Sequence, residues 1–139
     1  MIAVLMKLMN NYFPSKNKFL LSRKYKRQSA SCRRLQICII GGGFGGLYTA
    51  INLQASRLLK KSNIEITIIE PKDHFLFSPL LYELLTRELQ PWEIAPPIDK
   101  LIQHSHVRHI QDRATHINLE SRQVTISSGD ILEYDYLVL

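Results

Sequence analysis

Cysteine is nearly absent: only Cys32 and Cys38 occur in 139 residues. Two thiols cannot build a disulfide framework, which argues against a secreted, cross-linked scaffold. No C-x-x-C pair exists either, so dithiol redox catalysis is excluded. No apolar run approaches the roughly 18 residues that a membrane-spanning helix requires. Glycine is scarce, with six residues, yet five of them stand between positions 41 and 46. No G-K-[ST] follows these glycines, which removes a P-loop nucleotidase. What is present, 45% hydrophobic and 22% charged residues, is ordinary for one domain that buries a core.

Charge of one sign is missing from the start of the chain. Residues 1–35 hold nine basic residues and no acid, whereas 36–139 hold nine basic and twelve acidic residues, a net of −3. The overall +6 therefore belongs to a leader, and the globular part is mildly acidic. The leader combines basic residues with Ser15, Ser22, Ser29 and Ser31, the composition of an organelle transit peptide. A disordered tail, or upstream sequence misassigned to the chain, are the plainer alternatives. A nucleic-acid-binding arm is disfavoured, because Tyr12, Phe13 and Tyr25 are too sparse for base stacking. The organisation expected is a basic leader over 1–35 and, over 36–139, the N-terminal part of a truncated domain.

At Gln36 the character changes. Gln36-Ile37-Cys38-Ile39-Ile40 is a β-branched run suited to a strand buried on both faces. Gly41-Gly42-Gly43-Phe44-Gly45-Gly46 follows and contains G-x-G-x-x-G at Gly41, Gly43 and Gly46. Leu47, Ala50, Ile51, Ala55 and Leu58 then recur at helical spacing, with Arg57, Lys60 and Lys61 near the helix end. A second strand, Ile64 to Ile69, ends in Glu70.

Strand, glycine turn, helix, strand and acid in that order form a dinucleotide fingerprint. Gly41 permits the tight turn, Gly43 lets the backbone meet a pyrophosphate, and Gly46 lets the helix pack closely on the strand. The helix start offers N–H groups to the phosphates. Glu70 can accept hydrogen bonds from ribose hydroxyls and would repel a 2′-phosphate. A glycine turn that merely packs a helix is the plain alternative.

The fingerprint does not by itself separate flavin from nicotinamide dinucleotides. The remainder reads as successive strands, Val107–Gln111, Ala114–Asn118, Val124–Ser127 and Ile131–Leu139, with turns at Ser121-Arg122 and Ser128-Gly129-Asp130. A β-meander after the first βαβ unit is the layout of flavoproteins with two dinucleotide-binding domains. The fold class expected is α/β: a Rossmann-like FAD-binding βαβ unit with a parallel sheet plus a β-meander, incomplete at the C-terminus.

Three stretches then make the resemblance specific: Ile37 to Leu47, Phe75-Leu76-Phe77-Ser78-Pro79-Leu80-Leu81-Tyr82, and Tyr134-Asp135-Tyr136-Leu137-Val138-Leu139. Residues 36–139 resemble the start of a type II NAD(P)H dehydrogenase, a non-proton-pumping flavoprotein that passes electrons to quinone. Tyr82 to Leu85 with Trp92 to Pro96 is similar to the plastid and cyanobacterial branch of that family. The resemblance implies FAD as cofactor, with Gly41, Gly42, Gly43, Phe44, Gly45 and Gly46 lining its pyrophosphate and Glu70 holding its ribose. It implies that Ala114 meets the adenine and that Pro79 and Leu80 run near the flavin ring. Ser78 and Pro79 also read as the cap and first position of a helix over Leu80–Leu85, so plain packing stays open for that pair.

For a complete protein the resemblance implies NAD(P)H bound by a second domain, quinone as acceptor, peripheral membrane association, and residence in plastid or mitochondrion, with a homodimer left open. These 139 residues are expected to be a fragment, inactive alone, because they hold one glycine fingerprint. Other flavoprotein reductases of the same layout, and a non-catalytic nucleotide-binding module, are the rival readings. No catalytic residue and no metal site is assigned. His104-x-His106 on a strand would place two rings on one face, but nothing completes a ligand set with them or with His74, His109 and His116. Cys38 is expected to be buried and inert.

Overall fold

The computed structural model describes residues 34–56, 63–103 and 105–139. The expectations for the leader, for Arg57, Leu58, Lys60 and Lys61, and for His104 lie outside the described residues.

The two β-branched runs form the centre. β1 (Leu35–Ile40) and β2 (Ile64–Ile69) pair in parallel, from Leu35 opposite Ile64 to Ile40 opposite Ile69. Ile39 and Ile68 are wholly excluded from solvent, and each side chain so buried stabilises the fold by about 1.5–3 kcal/mol. Parallel neighbours need a crossover, supplied by the helix α1 (Phe44–Ala55). Leu47 and Ala50 bury its inner face. Ile51 is only half-buried and Ala55 is exposed, so the apolar stripe is narrower than its spacing suggests.

The long connection after β2 holds a 3₁₀ turn (Ser78–Leu80) and three short helices, α2 (Leu81–Leu85), α3 (Pro91–Ile94) and α4 (Ile98–Ile102). Its two arms are tied by Phe75 N–H to the Pro96 carbonyl at 3.0 Å and Phe77 N–H to the Ile94 carbonyl at 2.8 Å. Phe75, Phe77, Ile94 and Ile98 are buried between them. The helix expected over Leu80–Leu85 is thus split in two. Ser78 does not cap it, for Phe77 precedes the 3₁₀ turn and no side chain bonds its start.

The four-stranded meander expected at the end is corrected. β3 (Val107–Ile110) pairs parallel with β2, and Tyr136–Val138 lies on the far side of β1 in the same parallel sheet. The antiparallel sheet holds only β4 (Ala114–Asn118), β5 (Gln123–Ile126) and β6 (Ile131–Glu133). His106 precedes β3. The run Ile131–Leu139 is two strands, because the chain leaves one sheet after β6 and joins β1 as β7 (Tyr136–Val138). Cys38 and Ile69 of the parallel sheet meet Val124, Ile126 and Tyr134 in one buried cluster. Burial there pushes the Cys38 thiol up to about 11, so it stays protonated and unreactive.

The switch between sheets has a definite clamp. Tyr134 is buried, and its N–H donates to the Arg122 carbonyl at 3.0 Å. The next residue exchanges two bonds with the start of β1: Asp135 N–H donates to the Gln36 carbonyl at 2.8 Å, and Gln36 N–H donates to the Asp135 carboxylate at 2.8 Å. Losing a part-buried bond to a charged acceptor costs about 1.5–3 kcal/mol. Asp135→Ala should therefore lower the free energy of urea unfolding by that amount, with the midpoint falling in proportion, while an unchanged midpoint would show that β7 docks by packing alone.

Candidate dinucleotide-binding site

The glycine turn leaves the tip of β1 and enters α1, and its glycines are required for different reasons. Gly41 has φ +102°, a left-handed conformation that side chains disfavour. Its N–H donates to the Ile69 carbonyl at 2.9 Å, which binds the turn to the end of β2. A Cβ on Gly46 would stand 1.9 Å from the Gly41 carbonyl oxygen and 3.2 Å from Ile39 Cγ2. This is the close helix–strand approach expected of the third motif glycine.

Gly42 occupies a position that the motif leaves free, yet a Cβ there would lie 2.8 Å from Glu70 Cγ and 3.0 Å from Ile98 Cδ1. The spacing rule does not show this restriction. Gly43 and Gly45 are the opposite case. Both are exposed, and apart from the adjoining backbone no atom of the described residues lies within 4 Å of a Cβ built on either. The open side of the turn is bare backbone.

The start of α1 is equally bare. No side chain caps Gly43, no acid stands in the first turn, and Leu47 N–H begins the helical pattern on the Gly43 carbonyl at 3.0 Å. Helix starts leave their first amides without intrahelical partners, and the dipole favours negative charge beside them. The ring of Phe44 faces inward, with centroids 6.0 Å from Phe75 and 5.3 Å from Phe77. The Phe44 ring thus ties the turn to the connection after β2.

Glu70 closes the other side. Its Oε2 accepts the Gly42 N–H at 2.8 Å and its Oε1 accepts the Lys72 N–H at 3.0 Å. The carboxylate expected to serve a ribose therefore also braces the glycine turn. Each oxygen has lone pairs left for further donors. Pro79 and Leu80 lie in the 3₁₀ turn that follows Phe77, Pro79 exposed and Leu80 half-buried. Ala114 opens β4 at a register shift and packs against the Cys38–Val124 cluster. Gly42 meets Glu70, and Gly46 packs on the Gly41 carbonyl, whereas Pro79, Leu80 and Ala114 show no bond to them among the described contacts.

One residue is missed by sequence reasoning. His109 looks like one of several scattered histidines, yet its side chain is 5% exposed. Its Nε2 lies 3.1 Å from the Glu70 carbonyl oxygen and its Nδ1 lies 3.1 Å from Asp99 Oδ1. Only its place one step before the end of β3, beside the strand carrying Glu70, could have drawn notice.

A turn that excludes side chains on its packed faces, exposes Gly43 and Gly45 and carries an adjacent carboxylate suits a molecule with phosphates and a ribose. A demethylphylloquinone reductase of Synechocystis is 43% identical over 110 residues, covering 76% of this chain and 27% of that protein. The chloroplastic/mitochondrial alternative NAD(P)H-ubiquinone oxidoreductase C1 of Arabidopsis thaliana is 33% identical over 120 residues, covering 77% and 23%. Among solved structures, the sulfide:quinone oxidoreductase of Aquifex aeolicus superposes with a TM-score of 0.66 at 32% identity, over 74% of this chain and 23% of that one. The chain thus spans 27% and 23% of the two curated relatives. Residues 35–139 match the family model described as pyridine nucleotide-disulphide oxidoreductase, and the chain belongs to that family.

Proposed function

We propose that residues 36–139 are the FAD-binding part of an NAD(P)H:quinone oxidoreductase. The observation that carries this reading is the outward-facing Gly43 backbone beside an uncapped helix start, with Glu70 locked against the same turn. The 43% and 33% identities to a quinone reductase and a quinone oxidoreductase support the reaction class. FAD, when bound, accepts a hydride from reduced nicotinamide and passes electrons on to quinone.

The chain's own contribution is binding and orientation. The amides at the start of α1 meet the pyrophosphate, Gly43 and Gly45 allow its approach, and Glu70 accepts from the adenosine ribose. Ala114 offers backbone to the adenine, and Pro79 and Leu80 border the flavin. NAD(P)H and quinone are substrates of the complete protein, with peripheral membrane attachment and residence in plastid or mitochondrion. Residues 1–35 fit a transit sequence, so fusing them to a fluorescent protein should direct it to an organelle. A diffuse cytosolic signal would remove that reading. The similarity to sulfide:quinone oxidoreductase favours one rival, a reductase of the same layout using another donor. Reduction of the bound flavin by sulfide but not NAD(P)H would select it.

Titrating FAD into the chain, followed by flavin fluorescence, tests the site itself. The wild-type chain should bind. Gly43→Val should abolish binding without lowering the melting temperature, because no protein atom opposes the new side chain. Gly42→Ala should lower both, since its Cβ meets Glu70 and Ile98. A wild-type chain that binds no flavin, or a Gly43→Val that binds it normally, would overturn the assignment.

Glu70→Ala should weaken FAD by roughly 1.5–3 kcal/mol, the range for hydrogen bonds to a charged group. Glu70→Gln, which keeps an acceptor for the Gly42 N–H, should lose less. Unchanged affinity in Glu70→Ala would reduce Glu70 to a brace of the turn.

A further inference from the structure

We propose that His109 is a positioning residue of the dinucleotide site: it holds the backbone of Glu70 so that the carboxylate stays on the glycine turn. The inference rests on the reading of this site as an FAD site for its effect on affinity, while the positioning itself concerns the chain alone.

The argument begins with the hydrogen-bond ladder between β2 and β3. Its last step is Glu70 N–H donating to the Ile110 carbonyl at 3.1 Å. The next step of a parallel ladder would offer the Glu70 carbonyl the N–H of Asp112. That amide instead turns back to the Ile110 carbonyl at 2.9 Å, because the chain is leaving the sheet for β4. The Glu70 carbonyl therefore ends beyond the ladder. His109 Nε2, 3.1 Å away on a side chain that is 5% exposed, takes the place of the missing rung.

What this fixes is the root of the Glu70 side chain. The carboxylate reaches Gly42 N–H at 2.8 Å, and Glu70 Cβ and Cγ fill the space a Gly42 side chain would need. A small rotation of the Glu70 backbone would thus move the contact that braces the glycine turn. The far side of the imidazole meets Asp99 of α4, and the preceding residue, Ile98, is the other neighbour that limits Gly42. The histidine consequently joins β2, β3 and α4 at the point where all three approach the turn. Asp99 is 82% exposed, so its bond is screened by water, and the buried bond to Glu70 carries the positioning. A carbonyl oxygen only accepts, so the role requires a proton on Nε2.

Three measurements on the chain test this. The ring nitrogens of His109 in the flavin-free wild-type protein should show a protonated Nε2 by long-range ¹H–¹⁵N correlation; an unprotonated Nε2 would overturn the proposal. His109→Leu fills the space without a donor, whereas His109→Gln carries an N–H at a similar reach. The backbone amide resonance of Gly42, which reports the Glu70 carboxylate, should move in the leucine variant and return toward wild type in the glutamine variant. FAD affinity should fall about tenfold in His109→Leu and recover to within about threefold in His109→Gln, the scale of one neutral hydrogen bond. A leucine variant with the Gly42 amide unmoved and FAD affinity unchanged would mean that His109 only packs. If the wild-type chain bound no FAD, the cofactor reading would fall, and the Nε2 and Gly42 measurements would still decide the positioning role.

Discussion

The contact on which this domain turns is the Glu70 carboxylate against the Gly42 amide. It joins the end of β2 to the exit of β1, two points that parallel pairing alone leaves side by side without fixing the loop between sheet and helix. A glycine-rich turn loses more conformational freedom on ordering than any other sequence would. Here that cost is offset from several directions. Gly41 N–H is held by the Ile69 carbonyl, Gly42 by Glu70, and the Phe44 ring by Phe75 and Phe77. The packed side of the turn is rigid for this reason, and the open side can stay bare.

This explains why the glycines cannot be read as one class. Gly41 answers a backbone dihedral, Gly42 and Gly46 answer crowding by the protein, and a side chain on Gly43 or Gly45 would meet nothing beyond the adjoining backbone among the described residues. The last two make sense only if something else approaches them, and a phosphate chain is the ligand whose charge a helix start prefers. The order of elements puts the same turn at the carboxyl ends of parallel strands, where open α/β sheets gather their ligands.

Much of this was legible in local pattern. The strand over Ile64–Ile69 was read with its observed limits, since six residues rich in isoleucine meet polar residues at both ends. The glycine turn and the acid followed from spacing. What local pattern could not supply was partnership. Val107–Ile110 has the same appearance whether it pairs parallel with β2 or opens a meander, because periodicity reports which face is buried and not which neighbour lies alongside. The break at Tyr134–Asp135 was hidden for a similar reason. Apolar and aromatic residues dominate from Ile131 to Leu139, broken by Glu133 and Asp135, and the change of sheet shows only in the pairing of β7 with β1 and the bonds of Asp135 to Gln36.

The features missed at the site share that origin. Gly42 sits at a free position of the motif, and its restriction comes from residues 70 and 98. His109 stands in a cluster of histidines and gains meaning from the carbonyl of a residue 39 positions away. A motif records the part of a site that any ligand of the class demands. The bonds that hold the motif in place here come from side chains that border the strand ends. In this protein the meander departs straight after β3, which removes a backbone donor from the Glu70 carbonyl, and a histidine on that same strand is the nearest group able to replace it. The topology that makes room for a second sheet thereby creates the need for the side chain that steadies the first.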